Sequence, residues 1–175
     1  MQHVEPIDGL PCLVTGSAGF VGRSLVEALL ERGCTVHGFD KAPAPFEAPN
    51  LRWFQGDVRN RADLSAACHG VELVFHTAAM IETLTYAPTA FAELVRSVNV
   101  DGTKNVLDVA RECGVRRLVH TSSIITVPDD HPRGAQEGPS YSSAPDLYSS
   151  TKVESERLVL AANGTMGLRT TAIRP

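Results

Sequence analysis

The sequence has no large excess of charge of either sign: sixteen Lys and Arg stand against twenty Asp and Glu over 175 residues, a formal net charge of −4 with histidine neutral. No basic stripe is available to neutralise a phosphate backbone, so a nucleic-acid partner is not expected. Long apolar runs are also missing. Nothing approaches eighteen apolar residues in succession, and "MQHVEPIDGL" lacks the basic patch and apolar stretch of a secretory signal. The expectation is a cytoplasmic chain with no membrane-spanning segment, in which the "NGT" sequon at Asn163 is a chance match. There is no C-x-x-C pair. Cys12, Cys34, Cys68 and Cys113 are scattered singly, which reads as free thiols in a reducing compartment and excludes a disulfide scaffold. The six histidines show no ligand spacing, so no metal is expected. Internal repeats and low-complexity tracts are absent as well.

What the chain does have is alternation. Short strand-like runs fall near residues 10–15, 35–39, 51–54, 71–76, 116–121 and 168–173, with helical periods near 20–32, 61–68, 89–113 and 146–162. This order predicts one α/β domain, a doubly wound parallel sheet with helices on both faces. Ligands of such sheets lie beyond the carboxyl ends of the strands, where strand order reverses. The residues just after each strand are therefore the ones to inspect. The segment 127–146, rich in proline, glycine, serine and acids, is expected to be an active-site loop.

After the first strand, "VTGSAGFVGRS" spaces Gly16, Gly19 and Gly22 three apart at a strand-to-helix turn. Gly16 allows unusual backbone angles, Gly19 lets a phosphate approach the main chain, and Gly22 lets the helix lie close on the sheet. A glycine inside a helix costs about 1 kcal/mol relative to alanine, so Gly22 implies a packing reason. With Ser17, Phe20 and Val21, the turn presents a helix amino terminus to a pyrophosphate. The second strand ends in Asp40, eighteen residues beyond Gly22, placed to accept from an adenosine ribose diol. A carboxylate there disfavours a 2′-phosphate and so favours NAD over NADP, although Lys41 beside it softens the discrimination. After the third strand comes Asp57-Val58, with an acid able to accept from an adenine amino group, and after the fourth come Thr77, Ala78 and Ala79, small enough for a flat ring to pass. "HTSS" closes the fifth strand with Thr121, Ser122 and Ser123.

Tyr148 and Lys152 lie at i and i+4, on one face of the helix expected to start near Asp146. An ammonium at about 4 Å and an effective dielectric near 20 favours phenolate by about 4 kcal/mol, less what burial takes back. The expectation is a tyrosine made usable as a proton acceptor by its lysine.

These features together resemble the extended type of the short-chain dehydrogenase/reductase family. The resemblance covers nearly the whole chain and rests on Gly16-x-x-Gly19-x-x-Gly22, Asp40, Asp57-Val58, the "HTAA" strand end, Asn99 in "VNVDGTKNVL", the "TSS" stretch, Tyr148-x-x-x-Lys152 and the closing "AIRP". It implies that Tyr148 is the general base or acid on a substrate hydroxyl, that Lys152 holds the nicotinamide ribose and lowers the tyrosine's pKa, and that Ser123, rather than Ser122, positions the substrate oxygen. Asn99, Thr121 and Pro175 join the NAD site by the same resemblance. Within the family, "FHTAAMIE", "RLVHTSSIITV", "DLYSSTKVESERLVLAANG" and "TTAIRP" are most similar to bacterial 3β-hydroxysteroid dehydrogenases, and the apolar run Ile124 to Val127 suits a sterol better than a hexose. The alternatives are a sugar-nucleotide epimerase or dehydratase with tightly held NAD, and a non-catalytic NAD-binding protein, which has no use for a tuned phenol. Family members continue past "RP" into a smaller substrate domain, expected here beyond Pro175, and they pair as homodimers.

Overall fold

In the computed structural model, residues 6–81, 88–127, 141 and 146–175 are described. Six strands form one parallel sheet: β1 (Pro11–Thr15), β2 (Thr35–Asp40), β3 (Leu51–Gln55), β4 (Leu73–His76), β5 (Arg117–Thr121) and β6 (Arg169–Ile173), in the order β3-β2-β1-β4-β5-β6. The chain moves outward from β1 through β2 to β3, then returns to the other side of β1 with β4. The order therefore reverses between β1 and β4, and in such sheets the ligand crevice lies beyond the strand ends at that reversal.

Both faces of the sheet are covered because its central strands are apolar on both sides. Cys12 and Val14 of β1 pack with Val36 against Val26 and Leu29 of α1 (Phe20–Glu31). Leu13, between them in β1, points the other way. It joins Val74 and Leu118 against α2 (Arg61–Cys68), α4 (Gly102–Glu112) and α5 (Leu147–Ala161). Burying each such side chain contributes about 1.5–3 kcal/mol. Asn60 and Asp146 start α2 and α5 as N-caps, accepting from Ala62 N–H at 3.0 Å and Ser149 N–H at 2.8 Å. At the β3 edge the single tryptophan, Trp53, lies on Gly38 so closely that a Cβ there would sit 2.6 Å from the indole; its N–H donates to the carbonyl of Ala42 at 3.2 Å.

The helix expected over 89–113 is instead three pieces: α3 (Thr89–Arg96), a wide π turn (Ser97–Asp101) and α4. The carbonyl of Asn99 accepts at 2.6 Å from the Thr103 hydroxyl, and the Ser155 hydroxyl lies 2.6 Å from both it and the Thr151 carbonyl. The cysteines, expected to stand alone, are free thiols that meet in pairs, Cys12 with Cys34 and Cys68 with Cys113. Burial, then the neighbouring thiol, pushes Cys12 up to about 12. Sequence separation hid both pairs, because each joins different elements. The loop expected over 127–146 lies mostly outside the described residues. Among the described residues, no helix is long and apolar enough to cross a membrane.

Candidate active site

The glycine turn after β1 is built against the loop after β4. Gly16 has φ +73°, and a Cβ on it would stand 2.7 Å from the backbone nitrogen of Ala78. A Cβ on Gly22 would run into the carbonyl oxygen of Gly16, so α1 rests directly on the turn. No side chain caps the amino terminus of α1 and no acid occupies its first turn, which leaves its N–H groups and dipole to an outside anion. Phe20, 91% exposed, and Val21 flank this opening. Ser17 is buried, and its hydroxyl lacks a partner. Asp40 reaches back from β2 to accept from Ala18 N–H at 3.0 Å while also accepting from Ala42 N–H at 3.0 Å. Two glycine positions without room for a side chain, a third that is tight, an uncapped helix and an acid at the turn fit a dinucleotide.

Other expected cofactor residues sit differently. Asp57, expected to meet an adenine, is instead gripped by Arg59 through two guanidinium nitrogens and the backbone N–H, with the Lys41 ammonium 3.6 Å away. These hydrogen bonds hold its carboxyl down to about 2. The side chain of Val58 is core, wedged where a Cβ on Gly102 would lie 2.7 Å from it. The Asn99 amide is fully used inside the protein: it accepts from Met80 N–H at 2.7 Å and donates to the Met80 carbonyl at 2.9 Å and Thr151 at 3.0 Å. It thus ties the loop after β4 to α5 from behind. Pro175 is exposed and takes part through its carbonyl, which accepts from Ile124 N–H at 3.1 Å. Thr77 donates to the Thr15 carbonyl at 2.7 Å, and Ala79 is exposed beside it.

A directional hydrogen-bond chain runs beneath the crevice. Thr103 spends its only hydroxyl proton on the Asn99 carbonyl, so its oxygen, 2.9 Å from His76 Nε2, must accept from that nitrogen. His76 Nδ1 is then the acceptor for Thr15 Oγ1 at 2.7 Å, and Thr15 Oγ1 accepts from Ala78 N–H at 3.5 Å. The arrangement requires neutral His76, in keeping with burial, then the Lys152 charge, pulling it down to about 3. His120 lies against it, ring centroids 5.2 Å apart, buried and with no partner for either ring nitrogen among the described residues.

At the carboxyl end of β5, three successive residues are latched to one face of α5. Lys152 donates to the Thr121 carbonyl at 2.6 Å, Ser122 donates to Glu156, and the Ser123 hydroxyl, which accepts from Ile125 N–H at 3.4 Å, lies near enough to Tyr148 to lower its pKa. Tyr148, Lys152 and Glu156 are spaced i, i+4, i+8 and form one stripe. The electrostatics depart from expectation. Burial raises the Tyr148 pKa, partly offset by the neighbouring Ser123 hydroxyl. Burial instead pulls Lys152 down to about 8, with Glu156 opposing. The lysine points at a backbone carbonyl and its charge is itself costly to bury. Glu156, Arg174, His76 and His120 were missed. The only sequence signal for Glu156 is its place four residues after Lys152.

Fold and site define a doubly wound dinucleotide-binding domain with a serine–tyrosine–lysine cluster. A family model described as the 3-beta hydroxysteroid dehydrogenase/isomerase family matches residues 13–175. A 3-beta-hydroxysteroid dehydrogenase from Mycolicibacterium neoaurum is 41% identical over 93% of the chain and 46% of its own length. The human sterol-4-alpha-carboxylate 3-dehydrogenase, decarboxylating, is 40% identical over 100% of the chain and 46% of its own. Among solved structures, an NAD-bound short-chain dehydrogenase/reductase superfamily protein from Agrobacterium tumefaciens superposes with TM-score 0.79 at 35% identity, covering 93% of this chain and 48% of that one. DesIV, a dTDP-glucose 4,6-dehydratase from Streptomyces venezuelae with NAD bound, gives 0.80 at 29%, covering 94% and 55%. The chain belongs to the 3-beta hydroxysteroid dehydrogenase/isomerase family, and it spans about half the length of the curated relatives it matches.

Proposed function

We propose that this chain is the dinucleotide-binding part of an NAD-dependent dehydrogenase that oxidises the secondary alcohol of a 3β-hydroxysteroid, with residues 1–175 as one domain and a substrate-enclosing part elsewhere in the protein. The observation that carries this is the latch at the end of β5, where buried Lys152 donates to the Thr121 carbonyl and Ser123 lies near enough to Tyr148 to lower its pKa, at the same carboxyl end of the parallel sheet as the uncapped glycine turn. Gly16, Gly19 and the amino terminus of α1 hold the pyrophosphate, and Asp40 the adenosine ribose. Bound NAD supplies the acceptor for the hydrogen leaving the carbinol carbon. Ser123 orients the substrate oxygen, Tyr148 takes the hydroxyl proton, and Lys152 lies under both. Exposed Ile124, Ile125 and Ile173 form an apolar rim next to Ser123, which favours a sterol over a sugar. A screen of the full-length protein by nicotinamide absorbance tests this: 3β-hydroxysteroids reduce NAD and sugar nucleotides do not. Turnover of sugar nucleotides alone refutes it.

A second reading, a sugar-nucleotide epimerase or dehydratase, is favoured by solved neighbours such as MoeE5 with UDP-glucose and NAD, at 29% identity. NAD retained through purification marks that outcome.

A further inference from the structure

Glu156 is the most elaborately held side chain near the site, and the chemistry above makes no use of it. It is 1% exposed. Arg174, just past β6, donates to it from Nε at 3.1 Å to both oxygens and from a terminal nitrogen at 2.5 Å. Ser122 donates to the same carboxylate from β5, Thr126 lies 3.5 Å away, and the Tyr141 hydroxyl donates at 3.2 Å. Arg174 also lies 5.4 Å over the Tyr141 ring. A buried ion pair of this kind is weak evidence for stability, since apolar residues of similar volume do as well or better. Its retention therefore calls for another use.

The residues it holds supply one. Ser122 precedes Ser123, whose hydroxyl neighbours Tyr148, and follows Thr121, whose carbonyl receives Lys152. Pinning Ser122 between Glu156 and the Ile173 carbonyl, which accepts its N–H at 2.7 Å, fixes both neighbours at once. Glu156 also sits one helical turn from Lys152. The other groups facing that ammonium are neutral: Tyr148 on the same helix, and His76 and His120 from β4 and β5, both held uncharged by burial. Glu156 is the carboxylate whose charge supports the ammonium, moderated by Arg174.

We propose that Glu156 is a positioning residue of the reacting cluster, aligning Ser123 through Ser122 and keeping Lys152 charged from one turn below. The inference rests on the reading that Ser123, Tyr148 and Lys152 form that cluster. A merely structural tether between β6 and α5 would leave the titrations of Tyr148 and Lys152 where they are.

The test is an NMR titration of the isotope-labelled chain, following the Tyr148 ring carbon bearing oxygen and the Lys152 side-chain nitrogen. Glu156→Gln keeps shape and polarity without charge, and the Lys152 midpoint falls by about one unit. Ser122→Ala removes one rung of the latch; the Tyr148 midpoint rises because Ser123 is loosened, while Lys152 stays near its wild-type value. Should Glu156→Gln alone fail to fold, Glu156→Gln with Arg174→Met removes both buried charges, and the Lys152 midpoint falls in the same direction by a smaller amount. Folded variants with unchanged midpoints overturn the proposal. A wild-type protein with these titrations and variants that shift as stated, but with no oxidation of any alcohol, overturns the proposed function and leaves the placement of Glu156 standing.

Discussion

Half-burial raises the pKa of the Tyr148 phenol, and the neighbouring Ser123 hydroxyl recovers only part of that cost. Oxidation by Tyr148 as base thus gains with alkalinity, while the buried ammonium of Lys152 is lost as pH rises through about 8. The expected rate profile for alcohol oxidation climbs above neutral pH and bends over as Lys152 discharges, its two limbs belonging to the coupled pair. Steady-state rates across pH check this; a profile falling steadily from pH 6 upward contradicts it. Tyr148→Phe removes the proton acceptor and is expected to lower kcat by about 10²–10⁴-fold. A loss of less than tenfold, about 1.4 kcal/mol in barrier, refutes the assignment. At this scale the i, i+4 spacing made Tyr148 and Lys152 legible in the sequence. The direction of their pKa shifts was not, because burial and the Thr121 carbonyl come from β5, about thirty residues away. The grip on Asp57 was hidden differently: Arg59 is only two residues away, but nothing in the sequence says that its guanidinium closes on that carboxylate.

At the scale of elements, α1 is the most constrained piece. Gly22→Ala places a methyl group on the Gly16 carbonyl, forcing the helix off the turn, with an expected cost of about 3 kcal/mol and loss of NAD binding. Gly33→Ala, at the other end of α1, meets nothing within 4 Å and suffers only its φ of +73°, about 1–2 kcal/mol. Urea denaturation of the two variants measures the difference; equal midpoints contradict the close packing. Helix and strand positions were readable from periodicity, and most boundaries fell within two residues. The π turn was not readable, because a wide turn leaves the apolar spacing of 89–113 nearly intact, and the Ser155 hydroxyl beside the Asn99 carbonyl comes from a distant helix.

For the whole molecule, neutral buried histidines set an acid limit. His76 titrates at 6.5 unfolded and about 3 folded, so the unfolded chain binds more protons in that window; stability is full above 6.5 and falls as pH drops toward 3. Asp57, depressed from 3.8 to about 2, adds a further loss as pH falls through that lower range. Melting temperatures are therefore expected to decline below pH 6.5, and His76→Gln to flatten the upper part of the decline; a flat melting temperature from pH 7 to 4 contradicts this. Residues 1–175 by themselves are expected to bind NAD more weakly than micromolar, which calorimetry checks. The parallel sheet followed from alternation of elements in the sequence. The buried ties between turns, from Ala78 through His76 to Asn99, did not, since they cross three connections and appear only when the strands are in register.

The indole of Trp53 lies on the strand next to the one that ends in Asp40, bound to the carbonyl two residues beyond that acid. With no second tryptophan in the chain, its emission is a single-site optical gauge of the strand end at Asp40, where the proposed function seats the adenosine. Quenching of that light on adding adenine nucleotide, or transfer of its energy to a reduced nicotinamide, will report occupancy without a dye, a tag or a turnover assay.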